Sequence, residues 1–270
     1  MHKSLLSSAH LHTNFCDGKN TPEEMVLKAI ELNFVSLGFS GHGNSVYDPV
    51  CMTQEKELLY RAEVLRLKEI YADKLEILLG VEHEAIAPYP NYPYEFMIES
   101  VHNILKDGTQ YYIDYDFDHM MEAVNAYGDV YKYCEAYFGT CEKAYSRTPA
   151  QIAGHLDLVT KFNEQHPIID ETDPRYLEPA MAALEAGVKK GLIFEINTGA
   201  ISRGYRTAPY PAPVFLKRLK ELGAMVMINS DCHDAAYLNC NYENARQLLL
   251  SHGFASVMQL RQHGFEEVSL

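Results

Sequence analysis

The chain has 270 residues, 47% of them hydrophobic and 22% charged, with a formal net charge of -14. That composition supports a folded domain with a substantial core, and no run approaches the about 20 apolar residues a membrane span requires. The acidic balance argues against a sequence-independent nucleic-acid binder, which needs a basic face. No nucleic-acid or membrane partner is therefore expected.

In chain order, "SAHLHTNFCDG" comes first. In an extended segment His10 and His12 point to the same face, and Asp17 follows shortly after. "TPEEMVLKAIELN" reads as a helix with Thr21 as N-cap, Pro22 in the first turn and acids beside the positive end of the dipole. "FVSLGFSGHG" is a short apolar run that ends at His42. "TQEKELLYRAEVLRLKEIYADK" predicts a long amphipathic helix with Leu58, Ala62 and Leu65 among its spaced apolar residues. Further short apolar runs end in polar tips: "LEILLGVEHE" in Glu82 and His83, "YEFMIESVHN" in His102, and "PAQIAGHLD" in His155. "GLIFEINTG" ends in Asn197 and "AMVMINSDCH" in Asp231 and His233. Their brevity and β-branched content predict buried strands. "PRYLEPAMAALEAGVKKG" and "PAPVFLKRLKELG" predict helices that run into glycines.

Strands alternating with helices give an α/β domain with a parallel sheet. Around seven such units, each with polar groups at the strand's C-terminal end, predict one barrel domain over residues 1–270 with its site on one face. A doubly wound open sheet would need a fingerprint such as GxGxxG, which the chain lacks. Nine imidazole and carboxylate groups at one mouth (His10, His12, Asp17, His42, Glu82, His102, His155, Asp231 and His233) would be costly to desolvate without cations. Such ligands suit zinc, manganese or iron, so a multinuclear metal site is expected.

Six cysteines form no CxxC pair, and "MHKSLLSSAH" lacks the apolar core of a signal peptide, so reduced thiols in a cytoplasm are expected. Cys16 and Cys232 lie inside the metal-like segments and are either supports for the ligands or ordinary buried thiols. His2, His119, His166, His252 and His263 fall outside the strand-tip pattern and read as surface or core residues. The tyrosines of "PYPNYPYEF" and "YYIDYDF" form either a wall for a ring-bearing substrate or loop packing.

The segments "HLHT", "CDG", "SGHG", "GVE", "ESVHNI", "GHLDLVTKF" and "NSDCH", in that order, resemble the polymerase-and-histidinol-phosphatase (PHP) family of metal-dependent phosphoesterases. The resemblance implies a distorted (β/α)7 TIM-like barrel holding three divalent ions at the C-terminal strand ends. His10, His12, Glu82 and Asp231 would hold the first ion; Glu82 would bridge to the second, completed by His102 and His155; Asp17, His42 and His233 would hold the third. Ser8 stands where the family often has an acid, and the roles of His83 and Glu84 are left open. Within the family the chain is similar to bacterial histidinol-phosphate phosphatases through "EINTGAISRGYR" and "PYP". That implies a small phosphate ester as partner and hydrolysis of L-histidinol phosphate in histidine biosynthesis.

Clustered divalent ions neutralise phosphoryl oxygens, and a water between two of them becomes hydroxide near neutral pH, able to attack phosphorus. Glu82 and Asp231 would be catalytic through those ions, and Arg203 would clamp the phosphate with its two-pronged guanidinium, with Arg206 and Lys161 as further candidates. Asp157 would orient a ligand, move a proton or be an ordinary loop acid. A nucleotide or phosphotyrosine phosphatase is the near alternative. An amidohydrolase would want a bridging strand-tip lysine, which is missing. A metal-storage protein would not turn over any ester.

Overall fold

The computed structural model describes residues 6–270. In chain order its strands are β1 (Ser7–Ser8), β2 (Ser36–Phe39), β3 (Glu76–Glu84), β4 (Phe96–Ser100), β5 (Asn103–Lys106), β6 (Thr109–Tyr112), β7 (Ile152–Ala153), β8 (Ile193–Asn197), β9 (Val226–Asn229), β10 (Ser256–Arg261) and β11 (Gly264–Ser269). The helices are α1 (Pro22–Glu31), α2 (Gln54–Ile70), α3 (Phe117–Tyr127), α4 (Val130–Arg147), α5 (Pro174–Lys190), the single turn α6 (Gly199–Ser202), α7 (Pro213–Glu221) and α8 (Tyr242–Ser251).

Seven strands pair in the order β1-β2-β3-β4-β7-β8-β9, every pair parallel, with helices between them. The result is a nearly closed, distorted (β/α)7 barrel. Its seam between β1 and β9 is held by one bridge, Leu11 to Cys232, and by the Ala9 amide donating to Asn229 Oδ1 at 2.8 Å. The β5–β6 and β10–β11 pairs are separate antiparallel hairpins.

Alternation along the strands places the site. Side chains two apart share a face, so Leu78, Gly80 and Glu82 point together, as do Ile193, Glu195 and Asn197, and Met227, Asn229 and Asp231. Each series starts apolar or small and ends polar. Leu78, Phe96, Ile98, Ile152, Ile193 and Met227 form one core cluster, to which β10 adds Leu260. Gly80 is glycine for space: a Cβ there would stand 2.4 Å from the Phe96 ring. The polar groups are left at the opposite end.

The helical layer follows from its caps and apolar faces. Thr21 Oγ1 accepts from the Glu24 amide at 3.3 Å and Glu24 accepts from the Thr21 amide at 2.8 Å, the reciprocal capping pair that starts α1. The sequence reading of α2 chose the wrong face. Leu58 and Leu65 are 57% and 42% exposed, while Tyr60, Val64 and Leu67 are buried against Leu37, Phe39, Ile77 and Leu79. The helix carries apolar residues on both sides, and the Tyr60 hydroxyl, donating to the Gly80 carbonyl at 2.9 Å, turns the other stripe inward. The sequence reading assigned no elements to α3, α4 or the hairpins. The six cysteines are free. His166, His252 and His263 do not line the barrel mouth, His119 stands behind its wall against Tyr112 and Tyr115, and His2 lies outside the described residues. Among the described residues no helix is long and apolar enough to cross a membrane.

Candidate metal centre

Five of the strand-end histidines converge on Glu82, which is 1% exposed, and Asp17, Asp231 and His233 join the cluster through those histidines and one another. Its Oε2 lies 3.2 Å from His10 Nε2, 3.3 Å from His12 Nε2 and 3.3 Å from His42 Nδ1. Its Oε1 lies 3.3 Å from His102 Nε2 and 3.1 Å from His155 Nε2. One carboxylate thus divides five imidazoles between its two oxygens. Asp231 Oδ1 is 3.6 Å from His10 Nε2 and 3.3 Å from His12 Nε2. Asp17 reaches His12 Nδ1 at 3.3 Å and His233 Nε2 at 3.0 Å.

Four overlapping sets have donor atoms within 4.8 Å of one another: His12, Asp17, His42 and His233; His10, His12 and Asp231; His10, Glu82 and His155; and His42, Glu82 and His102. His10 Nε2, His12 Nε2 and Glu82 Oε2 are buried without a hydrogen-bond partner. Orphaned polar atoms of that kind cost about 1–3 kcal/mol each. Nitrogen and carboxylate donors at this spacing fit zinc, manganese or iron, so the residues present suit divalent ions. The backbone is bent toward the task as well. Asp231 has φ 45°, a left-handed conformation uncommon outside glycine. Gly199 makes room for it, since a Cβ there would lie 2.7 Å from Asp231 Oδ2.

A second layer of carboxylates sits behind the imidazoles. Glu195 Oε2 is 2.9 Å from His10 Nδ1, and its Oε1 accepts from the His155 amide at 2.7 Å. Glu84 Oε2 is 3.3 Å from His102 Nδ1 and accepts from the His102 amide at 3.1 Å. Asp48 does not stand behind its ring in this way: its Oδ2 is 3.2 Å from His42 Nδ1, the same nitrogen that faces Glu82. A carboxylate behind a ligand histidine fixes its tautomer and ring direction. The Cys16 thiol stands 3.6 Å from His12 Nδ1, whereas the Cys232 thiol turns to the Asp234 carbonyl at 2.9 Å. His83 points away from Glu82, to Glu99 at 3.1 Å, and stacks on Tyr89. Sequence reasoning missed Glu195 and Asp48. The signal for Glu195 was an acid inside the apolar run "GLIFEIN", since a buried acid needs a partner.

Burial alone would lower the pKa of His10, but Glu195, Glu82 and Asp231 outweigh it and raise it to about 10. Burial is likewise outweighed at His12, chiefly by Asp17, and at His102, chiefly by Glu82, so both are raised. Ligand histidines must be neutral. Metal binding to the metal-free protein at pH 7.5 should therefore expel about three protons, one from each of these histidines, read by calorimetry in buffers of different ionisation enthalpy; a net release of zero would overturn this electrostatic account. Because the folded value for His10 exceeds the ordinary 6.5, its contribution favours the metal-free fold fully below pH 6.5 and is lost as pH rises through about 10. The Tm of chelated protein should fall over that window.

The mouth is a cavity of about 260 Å³, lined by candidate ligands and by Tyr112, Asp114, Tyr115, Lys161, Arg203 and Tyr205. Arg203 Nη2 is 3.0 Å from Asp231 Oδ2, and its Nη1 donates to the Asp231 carbonyl at 3.0 Å and to His233 Nδ1 at 2.7 Å. Lys161 Nζ donates to the Asp114 carbonyl at 2.6 Å and to Asp114 Oδ2 at 3.0 Å. Arg206 corrects the sequence reading. The residue is 6% exposed, and its guanidinium donates to Glu171 at 2.7 Å and to the Thr160 carbonyl at 3.0 Å and does not line the cavity. Asp157 is fully buried outside the cavity, accepts from the Ala212 amide at 2.9 Å, and burial pushes its carboxyl up to about 7. Tyr112 and Tyr115 form part of the wall; Tyr89, Tyr92 and Tyr94 do not.

Residues 8–199 match the PHP domain family, and the chain belongs to it. The histidinol-phosphatase of Bacillus subtilis (strain 168) is 27% identical across 87% of this chain and 96% of its own length. The hisK protein of Listeria monocytogenes has a similar solved structure, with a TM-score of 0.77 at 22% identity over 88% of this chain and 98% of that one. The histidinol phosphate phosphatase of Lactococcus lactis subsp. lactis, complexed with zinc, L-histidinol and phosphate, has a TM-score of 0.71 at 20% identity over 97% and 100%. Both structural likenesses concern the fold.

Proposed function

We propose that this protein is a cytoplasmic, single-domain metal-dependent phosphomonoesterase that hydrolyses L-histidinol phosphate to L-histidinol and phosphate, a step of histidine biosynthesis. The division of five imidazoles between the two oxygens of Glu82 carries the catalytic half of this reading. It would suit a carboxylate shared by two ions, with His10, His12 and Asp231 near one oxygen and His102 and His155 against the other. Asp17, His42 and His233 are assigned to a third. Divalent ions so held supply charge neutralisation for the phosphoryl oxygens and an activated water. Arg203 faces the same cavity and binds a phosphoryl oxygen pair, with Lys161 a second cation on the wall. Glu195 and Glu84 keep their imidazoles aimed.

The substrate follows from the family and from the relatives above. Metal analysis of purified protein, followed by kcat/KM on a panel of phosphate monoesters, tests it. Histidinol phosphate should lead the panel. A nucleotide or phosphotyrosine preferred by about tenfold or more, worth about 1.4 kcal/mol of barrier, would replace the substrate. Metal-loaded protein inert toward every ester would remove the phosphatase reading.

A further inference from the structure

The cavity holds five carboxylates, and four of them face histidines. Asp17, Asp48, Glu82 and Asp231 each lie within 4 Å of an imidazole of the cluster. Asp114 differs. Its ion pair is with Lys161, at 3.0 Å through Oδ2, and its Oδ1 accepts no hydrogen bond from the described residues. Its side chain keeps 26% exposure, enough for a ligand to reach it. Burial works against its charge, but Lys161, His102 and His155 hold the carboxyl down at about 2, so it is ionised throughout the physiological range.

The wall that carries Asp114 is fixed. It follows β6 directly, and Gln110 of that strand donates to Asn103 Oδ1 at 2.8 Å and to the Tyr47 carbonyl, tying the hairpin to the loop that bears Asp48. Tyr112 and Tyr115 flank it in the cavity, and the Tyr205 ring lies 5.0 Å from Lys161 Nζ. Aromatic faces of this kind tolerate a cation beside them.

We infer that Asp114 is a specificity-determining residue, receiving a protonated amine carried by the alcohol portion of the phosphate ester. The inference rests on the phosphatase reading. If the phosphoryl group occupies the ligand end beside Arg203, the alcohol portion extends along the remaining wall, where Asp114 stands. A cation entering beside divalent ions and Lys161 is repelled unless a carboxylate receives it. An anionic alcohol portion meets Asp114 itself, so the same residue attracts one class and rejects another.

The test compares 2-aminoethyl phosphate with ethyl phosphate, and histidinol phosphate with its deaminated analogue, on metal-loaded protein at pH 7.5. Wild-type kcat/KM should favour the aminated member of each pair by about tenfold or more, the scale of a charge-assisted contact. Asp114→Asn should erase that preference while metal content stays at the wild-type level. Equal rates for both members of each pair with wild-type protein would overturn the inference while leaving the phosphatase reading standing, without recourse to a variant. A loss in Asp114→Asn that is equal for both members would also overturn it, showing that Asp114 acts by orienting Lys161 toward the phosphate. Hydrolysis of no ester at all would remove the phosphatase reading and this inference with it.

Discussion

Glu82→Gln should abolish turnover, by about 1,000-fold or more in kcat/KM, which corresponds to about 4 kcal/mol of barrier. The substitution keeps size and shape but removes the charge that five imbedded imidazoles share at 3.1 to 3.3 Å. An amide offers one oxygen where the carboxylate offers two, so one of the two histidine groups loses its acceptor. The circular dichroism spectrum should stay that of wild type, because Glu82 ends an inward series whose apolar part is untouched. Metal content should fall with activity. Retention of more than about a tenth of wild-type kcat/KM, a change under 1.4 kcal/mol, would show that Glu82 does not join two ions.

Arg203→Ala should lower kcat/KM by about 100-fold, corresponding to about 3 kcal/mol of charge-assisted binding. Arg203 Nη1 donates to His233 Nδ1, which leaves Nε2 of that ring to carry its proton toward Asp17, and the same guanidinium donates to the Asp231 carbonyl and carboxylate, so it is held at the cavity wall with its position set by two candidate ligands. Metal content should be retained in the variant, and lysine should restore only part of the rate, since a point charge cannot make the two-pronged contact. Near-wild-type kinetics on every active ester would move the clamp to Lys161.

Most of the proposed ligands were legible because they obey a local rule and close short apolar runs, as His42 closes "FVSLGFSGH" and His155 closes "AQIAGH"; Asp17, in a turn after His12, obeys no such rule. The barrel followed from the same alternation. What escaped the sequence depends on contacts remote in the chain. Glu195 matters because His10, 185 positions away, presents its Nδ1 to it. Arg206 stood behind Arg203 as a further candidate for the clamp, and Glu171, 35 positions away, draws it out of the cavity. The inward face of α2 was misread because Leu58 and Leu65 are as apolar as Val64 and Leu67, and only the sheet beneath decides between them. Asp114 sits among tyrosines in "YYIDYDF" with no pattern to single it out.

The thin seam of the barrel sets the order in which the site can come into being. Ala9 and Asn229, 220 positions apart, meet across it, with His10 and His12 on one lip and Asp231 and His233 on the other. During synthesis the first lip waits, its imidazoles unmatched, until the second has left the ribosome. The entropy of closing so long a loop grows only with the logarithm of its length, so the few hydrogen bonds across the seam suffice to shut the ring, and an ion held by both lips would add its binding energy to a closure the chain already makes.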